Sequence, residues 1–228
     1  MSRASVRDKG DITHLAAPFV REGSAVVDVG ANTGGFTKWA AQIVGPTGSV
    51  LAIEPDTRCY DLLDHLAAVC PQVTLHRGAV GAWPGPADCY QAKHTSQTSL
   101  WRAAVPAGDT VTTTRVEVTT LDALVDRADL VKIDAQGMDA EILVGATRLL
   151  QACPAWIVEV WPNGLAAAGQ TPKGLWELLT QAGLTVTWAG GVVVTEENLR
   201  DWCASKQAYV NWLATRPTVP KWQEKEEA

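Results

Sequence analysis

The chain has 228 residues, of which 46% are hydrophobic and 19% are charged. This length is enough to bury a full core without disulfides or a structural metal, and the 19 glycines and 12 prolines carry no fibrous repeat. The formal net charge of −6 argues against binding to nucleic acid or anionic lipid through overall electrostatic attraction.

The five cysteines form no CxxC pair and are odd in number, which fits a reduced interior better than a disulfide framework or a zinc site. The N-terminal residues lack the apolar stretch of a secretory signal, and no run approaches the roughly 20 apolar residues of a membrane span. We therefore expect a cytoplasmic protein that has no membrane partner.

Short apolar runs alternate with helical patterns along the chain, which is typical of parallel strands that are buried on both faces and connected by helices. The predicted strands are 25–29, 50–53, 73–76, 116–119, 130–133 and 156–160, with weaker candidates at 184–188 and 209–214. The predicted helices are 36–43, 58–69, 121–125, 139–150 and 172–182. This order predicts an α/β fold with a doubly wound, open sheet.

A single domain is predicted over residues 1–216, with a helical lead-in over residues 1–24. Residues 91–114 are polar and rich in Ser and Thr, so they are expected to form a loop or hairpin that is either an active-site flap or a surface insertion. Residues 217–228 are expected to be a disordered tail. Among the ten tryptophans, those in loops, Trp161 included, either fill space or offer a stacking platform for a ring-shaped substrate.

The strongest local motif runs from Asp28 to Thr37, where an apolar strand ends in an acid and passes through a turn of small residues into a helix. Gly30 and Gly34 allow the backbone to approach a bound molecule closely, and the turn lies at the sheet edge where doubly wound folds bind ligands. A dinucleotide-binding fold would have a glycine where Asn32 stands, which weakens the NAD interpretation.

The second predicted strand ends in Glu54 and Pro55, and an acid at this position can accept both hydroxyls of a ribose. The alternative is a surface acid without a ligand. Asp28 and Glu54 together would attract a cation and repel pyrophosphate. S-adenosylmethionine, which carries a sulfonium and an ammonium but no phosphate, therefore fits this pattern better than NAD or ATP.

Two further acids, Asp134 and Glu159, lie at or near the ends of later strands. Lys132 and Asp134 would point to one face of their strand, where they can form a partly buried pair. Glu159 interrupts an apolar run, which is costly unless the carboxylate finds a partner or lies at the mouth of a site. Asp134 and Glu159 are the candidate bases. No metal site is expected, and a divalent ion bound by these two acids is the alternative.

Taken together, these segments resemble the FkbM-type methyltransferases, a branch of the class I S-adenosylmethionine-dependent enzymes. The most specific parts are the Asp-Val-Gly-Ala-Asn-x-Gly turn at 28–34 and the Lys-Ile-Asp-x-x-Gly run at 132–137, in which Gln136 stands where many members have Glu. The resemblance implies a Rossmann-like, doubly wound, mostly parallel seven-stranded sheet with helices on both faces. It also implies that S-adenosyl-L-methionine is the cofactor and S-adenosyl-L-homocysteine the product.

The resemblance further implies that the turn at 28–34 wraps the methionine part, that Glu54 holds the ribose and that residues 78–80 border the adenine. The Ser-rich stretch from Ser96 to Ser99 would touch cofactor or substrate. The implied cofactor-binding residues are Asp28, Gly30, Ala31, Asn32, Gly34, Phe36, Thr37, Glu54, Pro55, Gly78, Ala79, Val80, Ser99 and Asp134.

The implied activity is methylation of a hydroxyl oxygen of a small molecule, a sugar or a natural product, with Asp134 and Glu159 as the catalytic residues. The acceptor site is either open or completed by a second subunit, which would make the protein a homodimer. One alternative is a catalytically silent module that binds the cofactor. A nucleic-acid methyltransferase is less favoured, because the Asn-Pro-Pro-Tyr type of motif is absent and the chain is acidic. No nucleic-acid partner is expected.

Overall fold

The computed structural model describes residues 12–205 and 209–217. Its strands are β1 (Ala25–Val29), β2 (Ser49–Glu54), β3 (Val73–Arg77), β4 (Ala79–Val80), β5 (Gly85–Gln91), β6 (Thr112–Thr119), β7 (Leu130–Ile133), β8 (Ala155–Val160), β9 (Thr185–Trp188) and β10 (Val210–Thr215). Its α-helices are α1 (Thr13–Ala16), α2 (Gly35–Val44), α3 (Tyr60–Val69), α4 (Leu121–Leu124), α5 (Asp139–Val144), α6 (Thr147–Ala152), α7 (Pro162–Ala167), α8 (Pro172–Gln181) and α9 (Glu196–Ala204).

Seven of these strands form the main sheet in the order β3-β2-β1-β7-β8-β10-β9. Strands β3, β2, β1, β7 and β8 are parallel to one another, whereas β10 is antiparallel to both β8 and β9. The predicted seven-stranded, mostly parallel sheet is confirmed. Strands β2 and β3 extend the sheet on one side of β1, and β7 and β8 extend it on the other. The loops after β1 and β7 therefore leave the sheet at a switch point, where ligands bind in open α/β sheets.

Both faces of the main sheet are buried, and successive residues of each strand contribute to opposite faces. Val27, Val29 and Ile133 belong to a large apolar cluster that includes α5, α6 and α8, whereas Val26 and Leu130 face the opposite side and pack with α2. Successive side chains of a strand point to opposite faces, so an uninterrupted apolar strand needs a helical layer on each side. Helices therefore cover both faces, as the sequence predicts.

A second, three-stranded sheet, in the order β4-β6-β5, is separate from the main sheet. The predicted strand 116–119 is the end of β6 and belongs to this smaller sheet. Strands β5 and β6 pair antiparallel and enclose the polar segment 92–111, so the predicted loop or hairpin at 91–114 is a hairpin with a long connection. Strand β5 was missed because Gly85 and Pro86 look like a turn; an edge strand tolerates them.

The predicted helices differ from the observed ones in two respects. The predicted helix over 139–150 is two helices, α5 and α6, separated at Gly145 and Ala146. A Cβ atom at Gly145 would lie 2.0 Å from the carbonyl oxygen of Gly81, so the chain passes too close to its neighbour for a side chain. Helices α7 and α9 were not predicted. The lead-in contains α1 and a 3-10 turn at Ala17–Phe19, while residues 1–11 and 218–228, including nearly all of the expected tail, lie outside the described residues.

Candidate functional site

A cleft of about 400 Å³ opens at the carboxyl ends of β1, β2, β7 and β8. Its walls combine apolar side chains, such as Ile53 and Ile142, with carboxyl groups from Glu54, Asp134 and Glu159. Ligand sites in proteins are mostly apolar clefts of about 300–1,000 Å³ with a few convergent polar groups, so this cleft has the size and composition of a ligand site.

The turn after β1 forms one wall of the cleft and is fixed against its neighbours. The N–H groups of Gly30 and Ala31 donate to the carbonyl oxygen of Ile53 at 3.0 and 3.1 Å. A Cβ atom at Gly30 would lie 1.9 Å from the carbonyl oxygen of Asp134, and the φ angle of Gly30 is +73°. Glycine is therefore required here both by conformation and by contact.

Glu54 lies at the end of β2, lines the cleft and is almost fully buried. One carboxylate oxygen accepts from the N–H of Asn32 at 2.7 Å, and the other accepts from the N–H of Asp56 at 2.8 Å. Burial raises the pKa of Glu54 to about 7, against the opposing effect of these two hydrogen bonds. Because each carboxylate oxygen has two lone-pair sites, Glu54 retains the capacity to accept from two ligand hydroxyls.

Asp28, by contrast, is fully buried beneath the turn and does not line the cleft. Its carboxylate forms an ion pair with Lys132 at 2.9 Å and accepts from the Thr37 hydroxyl at 2.6 Å. Lys132 pairs with Asp28 and not with Asp134, the partner that the sequence allows, because β7 lies beside β1 with Asp28 directly opposite Lys132. The Lys132 ammonium also donates to the carbonyl oxygens of Val29 and Gly30, so the Asp28–Lys132 pair holds the turn from below.

Asp134 and Glu159 both line the cleft, and the side-chain amide of Gln136 lies between them. The amide nitrogen donates to an oxygen of Asp134 at 2.8 Å and to an oxygen of Glu159 at 2.9 Å. Burial, followed by the nearby charge of Asp134, raises the pKa of Glu159 far above its ordinary value. The two acids therefore favour a state in which Glu159 keeps its proton.

Residues 134–139 form a turn around the carboxyl group of Asp139, the first residue of α5. Asp139 accepts from the N–H groups of Ala135 and Gly137, both at 3.1 Å, and it does not line the cleft. Burial raises the pKa of Asp139 to about 6. Its function in the structure is to fix the turn that carries Gln136.

Comparison with known proteins identifies this architecture. The family model described as the methyltransferase FkbM domain matches residues 28–184. The chain belongs to the FkbM methyltransferase family. It is therefore a methyltransferase that uses S-adenosylmethionine, and its sheet and helices are those of the class I Rossmann-like fold.

Individual relatives are distant. The chain is 24% identical over 181 residues to the hexuronic acid methyltransferase AglP of Haloferax volcanii, covering 79% of this chain and 71% of that protein. A crystal structure of an FkbM methyltransferase from Methylobacillus flagellatus superposes with a TM-score of 0.52 at 15% identity, covering 84% of this chain and 43% of the other. A structure of a putative rRNA methylase from Clostridium thermocellum gives a TM-score of 0.52 at 15% identity, covering 90% and 93%. The chain thus spans less than half the length of the Methylobacillus structure.

The cleft of this methyltransferase fits the cofactor of its family. S-adenosylmethionine is cationic at the sulfonium, and the lining residues within the described ranges include Glu54, Asp134 and Glu159 but no Lys or Arg. The missing side chain of Gly30 makes room for the carbonyl oxygen of Asp134, and the remaining acceptor capacity of Glu54 provides a site for ligand hydroxyls. The residues present are therefore compatible with this ligand and poorly suited to pyrophosphate.

Nine of the predicted site residues line the cleft together: Gly30, Asn32, Glu54, Pro55, Ala79, Val80, Ser99, Asp134 and Glu159. Six predicted cofactor-binding residues do not: Asp28, Ala31, Gly34, Phe36, Thr37 and Gly78. The Thr37 hydroxyl donates to Asp28 below the turn, Ala31 packs with the buried Leu63 cluster, and the ring of Phe36 packs against that of Trp39. Gly34 is the N-cap of α2 and lies against Leu63 and Leu66, and Gly78 lies against the backbone of Glu117.

The connection between β5 and β6 contributes a strap, defined as residues 95–99, which crosses the cleft. The sequence predicts only part of it, the stretch from Ser96 to Ser99. The Thr95 hydroxyl donates to the side-chain oxygen of Asn32 at 2.8 Å, the Thr98 hydroxyl to Asp56 at 2.6 Å, and the Ser99 hydroxyl to the carbonyl oxygen of Gln136 at 2.8 Å. The strap is thus hydrogen-bonded to the loops after β1, β2 and β7. The sequence indicates polar residues here but not their partners.

Asp56 anchors the middle of the strap and is also missing from the predicted site. Burial would raise the pKa of Asp56, but hydrogen bonds from Arg58 and Thr98 lower it below its ordinary value. Trp161, foreseen as a possible platform, lines the cleft beside Glu159. Within 12–205 and 209–217, no group of three or more His, Cys, Asp or Glu residues is arranged to hold a metal ion, and no helix has the length and apolar character of a membrane span.

Proposed function

We propose that this protein transfers a methyl group from S-adenosylmethionine to a hydroxyl oxygen of a small molecule, a sugar or a natural product. The observation that carries the proposal is that the Asp134 and Glu159 carboxyl groups line the same cleft as Glu54, at the end formed by β7 and β8. One end of the cleft would thus hold a nucleoside, while the other would receive a proton.

In this proposal Glu54 holds the ribose hydroxyls, Gly30 and Asn32 contact the methionine part, and Ala79 and Val80 border the adenine. Pro55 and Ser99 complete the cofactor wall. Asp28, Ala31, Gly34, Phe36, Thr37 and Gly78 act through the backbone that they hold in place. When bound, S-adenosylmethionine supplies an electrophilic methyl group whose bond to sulfur breaks as the acceptor oxygen forms its new bond to carbon.

Asp134 then accepts the proton that the acceptor hydroxyl releases, while the neutral carboxyl of Glu159 stays beside it. A strong base is not needed, because positioning of the two reactants supplies much of the rate in such a displacement. The apolar side chains of Trp161 and Leu100 line the same region and suit the face of a sugar or another ring.

The similarity to a hexuronic acid methyltransferase supports a sugar as acceptor, although a hexuronic acid carries a carboxylate that the acceptor proposed here lacks. An anionic acceptor is less suitable, since the lining residues of the described chain include no cation that could pair with a carboxylate. We therefore propose a neutral hydroxyl compound. We further propose a cytoplasmic location, which fits the five free cysteines, and no nucleic-acid or membrane partner; a homodimer would complete an open acceptor side.

The test is a methyl-transfer assay by mass spectrometry with S-adenosylmethionine and paired acceptors, each neutral sugar or phenol being matched with its deoxy and amino analogues. We expect the hydroxyl compounds to gain one methyl group on oxygen and to release S-adenosylhomocysteine, and we expect Asp134→Asn to slow the reaction. Methylation of nitrogen or carbon would contradict the proposal. Tight cofactor binding without turnover on any acceptor would favour the silent binding module instead.

A further inference from the structure

The side-chain amide of Gln136 connects two acids that belong to different strands. One nitrogen donates both of its hydrogens, one to Asp134 at 2.8 Å and one to Glu159 at 2.9 Å. The distance between the two accepting oxygens therefore cannot exceed the sum of these two donor–acceptor distances. At such a distance the negative charge of Asp134 raises the pKa of Glu159, and a shared donor reduces the repulsion between the two carboxylates.

The residue that carries this amide has an unfavourable backbone conformation, which contacts on both sides hold in place. Its φ angle is +49°, in the left-handed region that side-chain-bearing residues seldom adopt. The carbonyl oxygen of Gln136 accepts from the Ser99 hydroxyl of the strap, and the peptide groups on either side of it donate to Asp139. Strained residues persist where several contacts fix them, and they cluster at functional sites.

Among the described residues, no cation beside Asp134 and Glu159 is free to neutralise the negative charge that these two acids carry together. Asp134, Asp139 and Lys132 act on Glu159 electrostatically, and burial raises the pKa of Glu159 most strongly. Lys132 is committed to Asp28 at 2.9 Å. The residue opposite Glu159 on β10 is the uncharged Asn211, and the cleft wall nearby is formed by Trp161 and Tyr209.

We propose that Gln136 is a positioning residue that holds Asp134 and Glu159 as one unit with a single negative charge, so that Asp134 faces the acceptor hydroxyl as the proton acceptor. This inference rests on the proposed function. During transfer the hydroxyl proton moves to the Asp134 carboxylate as the oxygen bonds to the methyl carbon, and the amide keeps both donors without exchanging a proton. Gln136 thus acts through the two acids and does not touch the reacting atoms.

The test is a carboxyl titration of the full ligand-free chain by carbon-13 NMR, with label at the side-chain carboxyl carbons of Asp and Glu. The two signals are assigned by their loss in Asp134→Asn and Glu159→Gln. In the wild type we expect the pair to hold one proton at neutral pH. In Gln136→Ala we expect the lower titration step of the pair to move upward by about one pH unit, since donated hydrogen bonds favour the charged form.

Gln136→Gly removes the same amide but relieves the positive φ angle, so it should shift the step equally and remain folded if the Ala variant does not. Gln181→Ala, at an exposed position at the end of α8, should shift nothing. A step that moves by less than about 0.3 units in Gln136→Gly, or a wild type with both acids ionised at neutral pH, would overturn the proposal.

The titration requires neither acceptor nor cofactor, so its outcome is separate from that of the methyl-transfer assay. A shifted titration without transfer to oxygen would reject the proposed function alone. Transfer to oxygen with an unshifted titration would reject the positioning role of Gln136 alone.

Discussion

Replacement of Lys132 by Met removes the ammonium group that neutralises the buried carboxylate of Asp28. The two charged atoms are 2.9 Å apart, and both side chains are at most 5% exposed. Coulomb's law gives about 6 kcal/mol for unit charges at this distance with an effective dielectric constant of about 20. Desolvation of the pair offsets part of that energy, but removal of one partner leaves a lone buried charge. We therefore expect the free energy of unfolding to fall by about 3–5 kcal/mol.

The assay is urea unfolding followed by circular dichroism, with the free energy extrapolated to water. The exposed pair of Arg115 and Asp88, which is 2.8 Å apart, provides the matched control. Arg115→Met should cost less than about 1 kcal/mol, because water screens exposed charges. The double variant Lys132→Met with Asp28→Asn should recover at least about 1 kcal/mol relative to Lys132→Met. A single variant within about 1 kcal/mol of wild type, or a double variant no more stable than the single, would refute the reasoning.

Three further predictions concern the cleft. Gly30→Ala should lower both the free energy of unfolding and the cofactor affinity, each by at least about 2 kcal/mol, because the added Cβ would displace the backbone of Asp134 in the cleft wall. Gly35→Ala, where a Cβ meets open space, should be neutral or slightly stabilising; urea unfolding and calorimetry measure the two quantities. Because burial raises the pKa of Glu54 to about 7, folding stability should decrease as pH rises toward 7, while S-adenosylmethionine affinity should increase between about pH 6 and pH 8. In Glu54→Gln the affinity trend should flatten and the stability trend should become shallower, since the raised pKa values of Asp139 and Glu159 still contribute to it; parallel affinity trends in wild type and variant would remove Glu54 from the site. Thr98→Val should speed amide hydrogen exchange across 92–111 by about tenfold through loss of its bond to Asp56, whereas the exposed Thr110→Val should not; equal exchange in the two variants would contradict the anchoring role of the strap.

The sequence predicts the central strands well because their apolar runs are uninterrupted. Strands β1 and β7 begin and end at the predicted residues, and Glu54 and Asp134 follow their strands into one cleft. Parallel strands end at the same edge of a sheet, so residues after different strands can be placed together without knowledge of any contact.

Contacts between strands, however, depend on register, which the sequence does not show. The sequence allows a pair between Lys132 and its near neighbour Asp134, but β1 brings Asp28 directly opposite Lys132. The positive φ angles of Asn32 and Gln136 are likewise imposed by tertiary contacts, since neither residue requires that conformation by itself. The role of Gln136 between two acids could not be predicted for the same reason.

We expect the cleft between Glu54 and Asp134 to bind S-adenosylmethionine. The most direct measurement is calorimetric titration of the full chain with S-adenosylmethionine and S-adenosylhomocysteine, with NAD as control and with Gly30→Ala and Gly35→Ala run in parallel. We predict that the first two ligands bind to wild type and to Gly35→Ala, that Gly30→Ala binds them far more weakly, and that NAD does not bind. Absence of binding to the wild type, or equal binding by Gly30→Ala, would contradict the account.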